Sequence, residues 1–384
     1  MKDDRLAAQV RSASRQALET MVQFCIDEDV QAFLIAGDLY DGQERSAKTA
    51  AYLASQMLRL DAAGVRVFYI KGNHDAENPI AGEIALPPNV HVFDGRGGVV
   101  QLGDHPVYIH GVSFRDRFAP ESLLPKYASP VPSSVNIAMM HTSLNGAEGH
   151  DPYAPCSIAD LSGAGFDYWA LGHVHKRQVH GQDPWIVMPG MPQGRDIGEA
   201  GPKSASLLTI EAGQISISEV PTSIVEFRSF DCNLKGVETD DAIRAALRDG
   251  LRAQAGRGAA ILRIRLVGQT ALAWQIRQLA DFWRAEIDTL AEGIGGIWVE
   301  KLSIDLMPPS KVATDSAVAG VHQLMSDISA EPGFLEGMGK ELEQVLSLLP
   351  AERRREIAPD EAAQATLLRH LSEDAVLSMV AKMR

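Results

Sequence analysis

The 384-residue chain is longer than one typical domain and predicts two or three. Its 45% hydrophobic content is that of an ordinary globular protein, and it has no apolar run long enough for a membrane span. The 50 acidic and 36 basic residues leave a net charge of −14, which argues against broad non-specific attraction to nucleic acid. A nucleic-acid substrate would need a local basic patch, bound metal ions or a partner subunit.

In chain order, residues from about Arg11 to Asp29 predict an amphipathic helix, with Leu18, Met21, Val22 and Cys25 on one face. AFLIA (Ala32–Ala36) then predicts a buried strand that runs into Gly37 and Asp38. A second helix spans about Ser46 to Ala63. The strand VRVFYI (Val65–Ile70) leads into Gly72, Asn73, His74 and Asp75. This strand–helix–strand alternation implies a parallel core with right-handed crossovers. Between Val90 and Phe114, VHVF, GVVQLG and VYIHGVSF predict short antiparallel additions to the sheet, and Pro120–Ser134 a Pro-rich surface loop. Two more strands follow. NIAMM (Asn136–Met140) runs into His141, and DYWAL (Asp167–Leu171) runs into Gly172, His173 and His175. WIVMPG, SLLTI and QISISEV complete the first domain, the last two as a hairpin over Ala212–Gly213.

Residues 222–310 form a separate β-α-β-α-β pattern, with strands near Val225–Leu234, Ala260–Val267 and Ile297–Leu306 and helices near Thr239–Ala255 and Thr270–Ala291. Pro308–Pro309 closes it. From about residue 311 only helices are predicted, with Leu335, Met338, Leu342, Val345, Leu346 and Leu349 on one apolar face. The domain boundaries are therefore 1–220, 222–310 and 311–384. There is no internal repeat. Cys25, Cys156 and Cys232 are odd in number and far apart, so they read as buried small hydrophobes in a reducing compartment. The first residues lack an apolar signal region, which makes a cytoplasmic location the expectation.

The chemistry lies in the four strand ends. In an α/β sheet, ligands collect beyond the carboxyl ends of the strands. Asp38, Asn73, His141, His173 and His175 would therefore converge on one edge as a metal site of mixed oxygen and imidazole donors. Without thiolate, that set suits manganese, iron or zinc better than calcium. Each segment alone is a weak signal, since Gly-Asp at a strand end is usually only a turn. Their co-occurrence, each directly after a strand, carries the reading. Two cations bridged by a carboxylate can share a hydroxide nucleophile and clamp an in-line displacement at phosphorus. His74, one residue past a ligand, would face the pocket without binding metal, placed to stabilise charge or protonate a leaving oxygen, and Asp75 could orient it. His150 is a weaker substrate-contact candidate. The remaining histidines (91, 105, 110, 180, 322 and 370) read as structural, and Arg353–Arg355 as a solvated helix end.

With GDLYD (Gly37–Asp41), GNHD (Gly72–Asp75), His141 and GHVH (Gly172–His175), the chain resembles the calcineurin-like metallophosphoesterase superfamily. Within it, the closest resemblance is to the bacterial SbcD-like DNA repair exonucleases, through GDLYDG, the segment His141–Cys156 and the small α/β unit. The resemblance implies a metallophosphoesterase β-sandwich flanked by helices, a small α/β capping domain and a helical C-terminal region that docks an SMC-like coiled-coil ATPase. It implies two divalent ions, with Mn2+ the expected metal. Asp38 would bridge them, Asn73, His141 and His173 would complete one, and His175 would belong to the other, with His74 as the catalytic histidine. It also implies DNA as substrate, a possible homodimer and no membrane association.

The start of the chain departs from the family pattern. The family opens with a strand ending in Asp-x-His, and this chain contains no Asp-x-His. One ion keeps four protein ligands and the other only Asp38 and His175. The sheet is also expected to lack a central strand, leaving backbone groups open on its neighbours. Either translation starts upstream of Met1 or the protein is a shortened, impaired form; the intact remainder of the site favours the first. Three functions follow: a DNA phosphodiesterase of repair-exonuclease type, a phosphoesterase for nucleotides or other small esters, and a non-catalytic scaffold binding DNA or a partner.

Overall fold

The computed structural model describes residues 4–40, 46–77, 86–144, 153–256, 258–307, 317–350, 353–354 and 357–381. Asp41, His150, Pro308–Pro309, Arg355 and most of the loop after His141 lie outside them, as does the side chain of His322. The chain divides into two compact units, Met1–Arg228 with Arg257–Ile261, and Ser229–Gly256 with Leu262–Arg384. The architecture is mixed α/β with a helical C-terminal region.

The first unit begins with helix α1 (Asp4–Asp27), strand β1 (Ala32–Ala36), helix α2 (Ala47–Ala62), strand β2 (Arg66–Ile70), the short helix α3 (Asn73–Glu77) and strand β3 (Val90–Val92). Helix α2 starts where the Ser46 hydroxyl accepts the Thr49 N–H, satisfying an otherwise unpaired donor of the first turn. Strands β1, β2 and β3 make one sheet in that order, all parallel. The expected antiparallel placement of VHVF is thus corrected. Its strand pairs with β2 in parallel. Strand β1 pairs only with β2 among the described residues and is half-buried along its whole length.

A second sheet holds six strands: β4 (Gly98–Gln101), β5 (Val107–Gly111), β6 (Val135–His141), β7 (Tyr168–Gly172), β8 (Gln178–His180) and β9 (Trp185–Met188), in the order β4-β5-β6-β7-β9-β8. The four inner strands are parallel, and β4 and β8 close the two edges antiparallel. Strand β6 is buried at every position. The period-two alternation sends Ile137 and Met139 into the core shared with Phe68 and Ile70 of the first sheet. Ala138 and Met140 go into the opposite core with Trp169 and with Leu161 of helix α4 (Ile158–Gly163). A third core lies under α1 and α2, around Val22, Leu53, Met57 and Val67. The unit is therefore two stacked sheets flanked by helices. Strands β10 (Ser204–Glu211) and β11 (Gln214–Pro221) form the expected hairpin.

Strand β12 (Val225–Asn233), helix α5 (Asp240–Gln254), strand β13 (Ala259–Gln269), helices α6 (Ala273–Gln278) and α7 (Ala280–Ile294) and strand β14 (Ile297–Met307) follow, with β13 central in a three-stranded sheet. The single helix expected over Thr270–Ala291 is two, broken at Leu279, whose backbone leaves the helical region. Helices α8 (Ala317–Ala330), α9 (Pro332–Ser347) and α10 (Glu361–Ala381) complete the second unit. In α9, Leu346 is buried but Val345 is 58% exposed and falls off the predicted apolar face. No described helix is long and apolar enough to cross a membrane. All three cysteines are buried and free, and burial pushes the thiols of Cys25 and Cys232 up to about 11.

Candidate metal centre

Strand register sets the site. Ala36 pairs with Ile70, so the residues two steps further on, Asp38 and Gly72, leave their strands at the same level. His141 pairs with Gly172, so His173 follows directly beside it. The turns are tight enough to exclude a side chain at key points. A Cβ on Gly72 would lie 2.4 Å from Asp38 Oδ1, and one on Gly172 would lie 1.9 Å from the Ala36 carbonyl oxygen. Asp38 and His173 themselves adopt positive φ, +54° and +101°. Residues other than glycine rarely do so, at a cost of about 1–3 kcal/mol each, and such strain persists only where the surroundings impose it.

Asp75 supplies much of that constraint at Asp38. It is buried, and its carboxylate accepts the N–H of Asp38 at 2.6 Å, of Gly72 at 2.9 Å and of Tyr40 at 3.0 Å. The sequence reading makes Asp75 an orienting partner of the His74 ring. These contacts make it instead a positioning residue that ties the turn after β1 to the turn after β2. Burial raises its pKa, against the opposing effect of the amides.

The strand ends bring four of the five expected ligands together. Donor atoms of Asp38, His141 and His173 all lie within 4.8 Å of one another. Nε2 of His141 lies 3.0 Å from Asn73 Oδ1 and 3.2 Å from Asp38 Oδ2. Its Nδ1 lies 2.9 Å from the Ala36 carbonyl, which can only accept, so Nδ1 carries a proton. Nε2 then faces two oxygen acceptors. Three electron pairs crowd one point unless the ring is protonated or a cation stands among them. Burial disfavours the charged ring, but the bond and charge of Asp38 outweigh it and raise the His141 pKa. Burial likewise raises the Asp38 carboxyl, and His141 more than offsets it, leaving Asp38 below its ordinary value. A divalent cation would satisfy all these donors at once, so the donor set fits one. The backbone N–H of the exposed His74 donates to Asp38 Oδ1 at 3.0 Å, which places His74 at the mouth of the cluster.

His175 stands apart from this cluster. Its side chain is 47% exposed, and Nδ1 lies 2.7 Å from Glu199 Oε1. Glu199 also accepts the Arg195 N–H at 2.8 Å and its guanidinium at 2.9 Å. Burial alone would raise the Glu199 carboxyl, but Arg195 and His175 bring it down to about 2. An ionised carboxylate only accepts, so His175 Nδ1 bears a proton. Sequence reasoning missed Glu199 and Arg195. They sit at either end of a 3₁₀ turn (Ile197–Glu199) capped by Asp196, and an Arg-x-x-x-Glu spacing is common on ordinary surfaces. It also missed Phe114 and Tyr153, whose rings pack against His141 and His173. His110 is buried against Phe166 and hydrogen-bonds Asn136 at 3.0 Å, as a structural histidine should.

Residues 11–177 match the family model of the calcineurin-like phosphoesterases, and residues 227–307 match the middle domain of metallophosphoesterase YhaO. Over 214 residues the chain is 36% identical to the uncharacterized metallophosphoesterase YhaO of Bacillus subtilis (strain 168), covering 54% of this chain and 52% of that protein. Over 222 residues it is 26% identical to the DNA double-strand break repair protein Mre11 of Methanocaldococcus jannaschii, covering 53% of this chain and 58% of that protein. The chain thus spans little more than half the length of these relatives. The crystal structure of TT1561 of Thermus thermophilus overlaps 53% of this chain and 92% of its own, at 16% identity and a TM-score of 0.33, too low to bear on the fold. Residues 11–177 are therefore a calcineurin-like metallophosphoesterase domain, related to YhaO and more distantly to Mre11.

Proposed function

We propose that this chain is a divalent-metal-dependent phosphodiesterase that acts on DNA, with manganese as its working ion and an SMC-like coiled-coil ATPase as its partner. The observation that carries the reading is the convergence of Asp38, Asn73, His141 and His173 at neighbouring strand ends. Bound there, a divalent cation supplies Lewis acidity toward the phosphoryl oxygens and a nucleophile at neutral pH. The chain's own contribution is to hold those donors fixed. Asp75 sets the Asp38 turn, and the Ala36 carbonyl sets the His141 tautomer. His74, at the mouth of the cluster, donates a proton to the departing oxygen. DNA as substrate is supported by the likeness to Mre11. The partner would dock on helices α8–α10, where Leu324, Phe334, Val345 and Leu348 are exposed.

The test is the purified chain with linear DNA in manganese, in EDTA and as His74→Ala. The reading predicts cleavage in manganese alone, reduced about 10²- to 10⁴-fold by the substitution. DNA left intact under all three conditions, with the ATPase present or absent, contradicts it. The net charge of −14 favours a second reading, a small phosphate ester as substrate. Small diesters hydrolysed much faster than DNA would select it.

A further inference from the structure

A wall of aromatic rings leads from the ligand cluster to the surface. The rings of His141 and His173 lie 5.1 Å apart, and Tyr153 lies 5.1 Å beyond His173. Phe118 continues the series, 6.5 Å from Tyr153 and tilted from it by only 10°. Phe114 backs the same Tyr153 ring at 6.4 Å. The arrangement is built into the backbone. The Ala154 N–H donates to the Ala119 carbonyl at 2.5 Å, and Tyr153 is clasped by Ser143 through its N–H at 3.0 Å. Phe118 is nevertheless 64% exposed. An aromatic ring left this open to solvent, beside a backbone-anchored Tyr153, gains little from burial where it stands. The Arg117 guanidinium lies over the same ring, 5.6 Å from its centroid.

We propose that Phe118, supported by Tyr153, is a stacking platform for a nucleobase of the substrate, on the side of the Asp38–His141–His173 cluster that Tyr153 lines. This rests on the phosphodiesterase reading above and names what that site grips besides phosphate. Base–aromatic stacking contributes about 1–3 kcal/mol per base and tolerates every base, because each has a π face. Phe118 would thus bind single-stranded ends or unpaired nucleotides without reading their sequence. It would also give an acidic chain an affinity for nucleic acid that does not depend on net charge.

The test compares binding of a short single-stranded deoxyoligonucleotide with binding of the same backbone carrying abasic sugars, by fluorescence anisotropy in EDTA. Full-length wild type, Phe118→Ala, Phe118→Leu and Phe118→Tyr are measured side by side. Wild type and Phe118→Tyr should prefer the base-bearing strand at least about fivefold. Phe118→Ala and Phe118→Leu should lose that preference alike, since leucine keeps apolar bulk but has no π face. A wild-type preference near one, or a preference kept by the leucine variant, overturns the platform. DNA cleavage in manganese is scored separately. Cleavage without base preference overturns this proposal alone, whereas base preference without cleavage supports the platform and overturns the phosphodiesterase.

Discussion

The two histidines of the GHVH turn sit two residues apart and meet opposite surroundings. His173, on a left-handed backbone, joins Asp38 and His141 in a cluster whose donor atoms have no good arrangement without a cation or a proton. His175 points to solvent and is already satisfied by Glu199 on one nitrogen. The first position is built where the in-register ends of β1 and β2 meet the in-register ends of β6 and β7. The second is built by a single loop, Arg195–Glu199, folded beside it. One half of the site is therefore preorganised by the sheet, and the other depends on a carboxylate that merely orients a ring.

That contrast is open to attack from several directions. The largest effect is expected for His141→Ala, which removes the ring shared by Asp38, Asn73 and the Ala36 carbonyl. Hydrolysis should fall by more than about a hundredfold, beyond what loss of an orienting partner causes, measured on any diester the wild type cleaves. Glu199→Gln should fall in the range of about 10- to 100-fold in metal affinity. It should also shift the His175 ring nitrogens in NMR while leaving the His141 ring untouched. Were both histidines to respond equally, the division into two halves would be wrong. Gly172→Ala should destabilise the fold by about 1–3 kcal/mol in denaturant titrations, because the new methyl has no room beside the Ala36 carbonyl.

The smallest effect concerns pH. The Glu199 pKa drops on folding from an ordinary 4.5 to about 2. The stability this adds is therefore complete above pH 4.5 and lost as the pH falls toward 2. The stability gap between wild type and Glu199→Gln should narrow across that window. A gap that stays constant would mean that folding does not lower the Glu199 pKa.

The strand ends were legible because short apolar runs leave few alternatives to a buried strand, and four such runs each followed by a ligand type form a combined signal that none carries alone. Asp38, Asn73, His141 and His173 follow from that co-occurrence. What escaped the sequence depends on tertiary register. The parallel pairing of β3 with β2 is not written in VHVF itself, which suits either strand direction. The break at Leu279 falls within an otherwise continuous helical pattern. Asp75 looks like a partner of its neighbour His74, yet three amides reach its buried oxygens, two of them from the turn after β1, over thirty residues away in sequence. Glu199 and Phe118 become visible only once loops distant in sequence lie side by side.

The catalytic reading depends on Asp38, Asn73, His141 and His173 holding a divalent cation. Calorimetric titration of manganese into the metal-free chain, beside Asn73→Ala, addresses this without relying on any substrate, since Asn73 contributes an oxygen without a charge. Tight binding by the wild type is expected, at a site that the substitution weakens by at least about tenfold. No binding by the wild type, or binding that Asn73→Ala leaves unchanged, would contradict it.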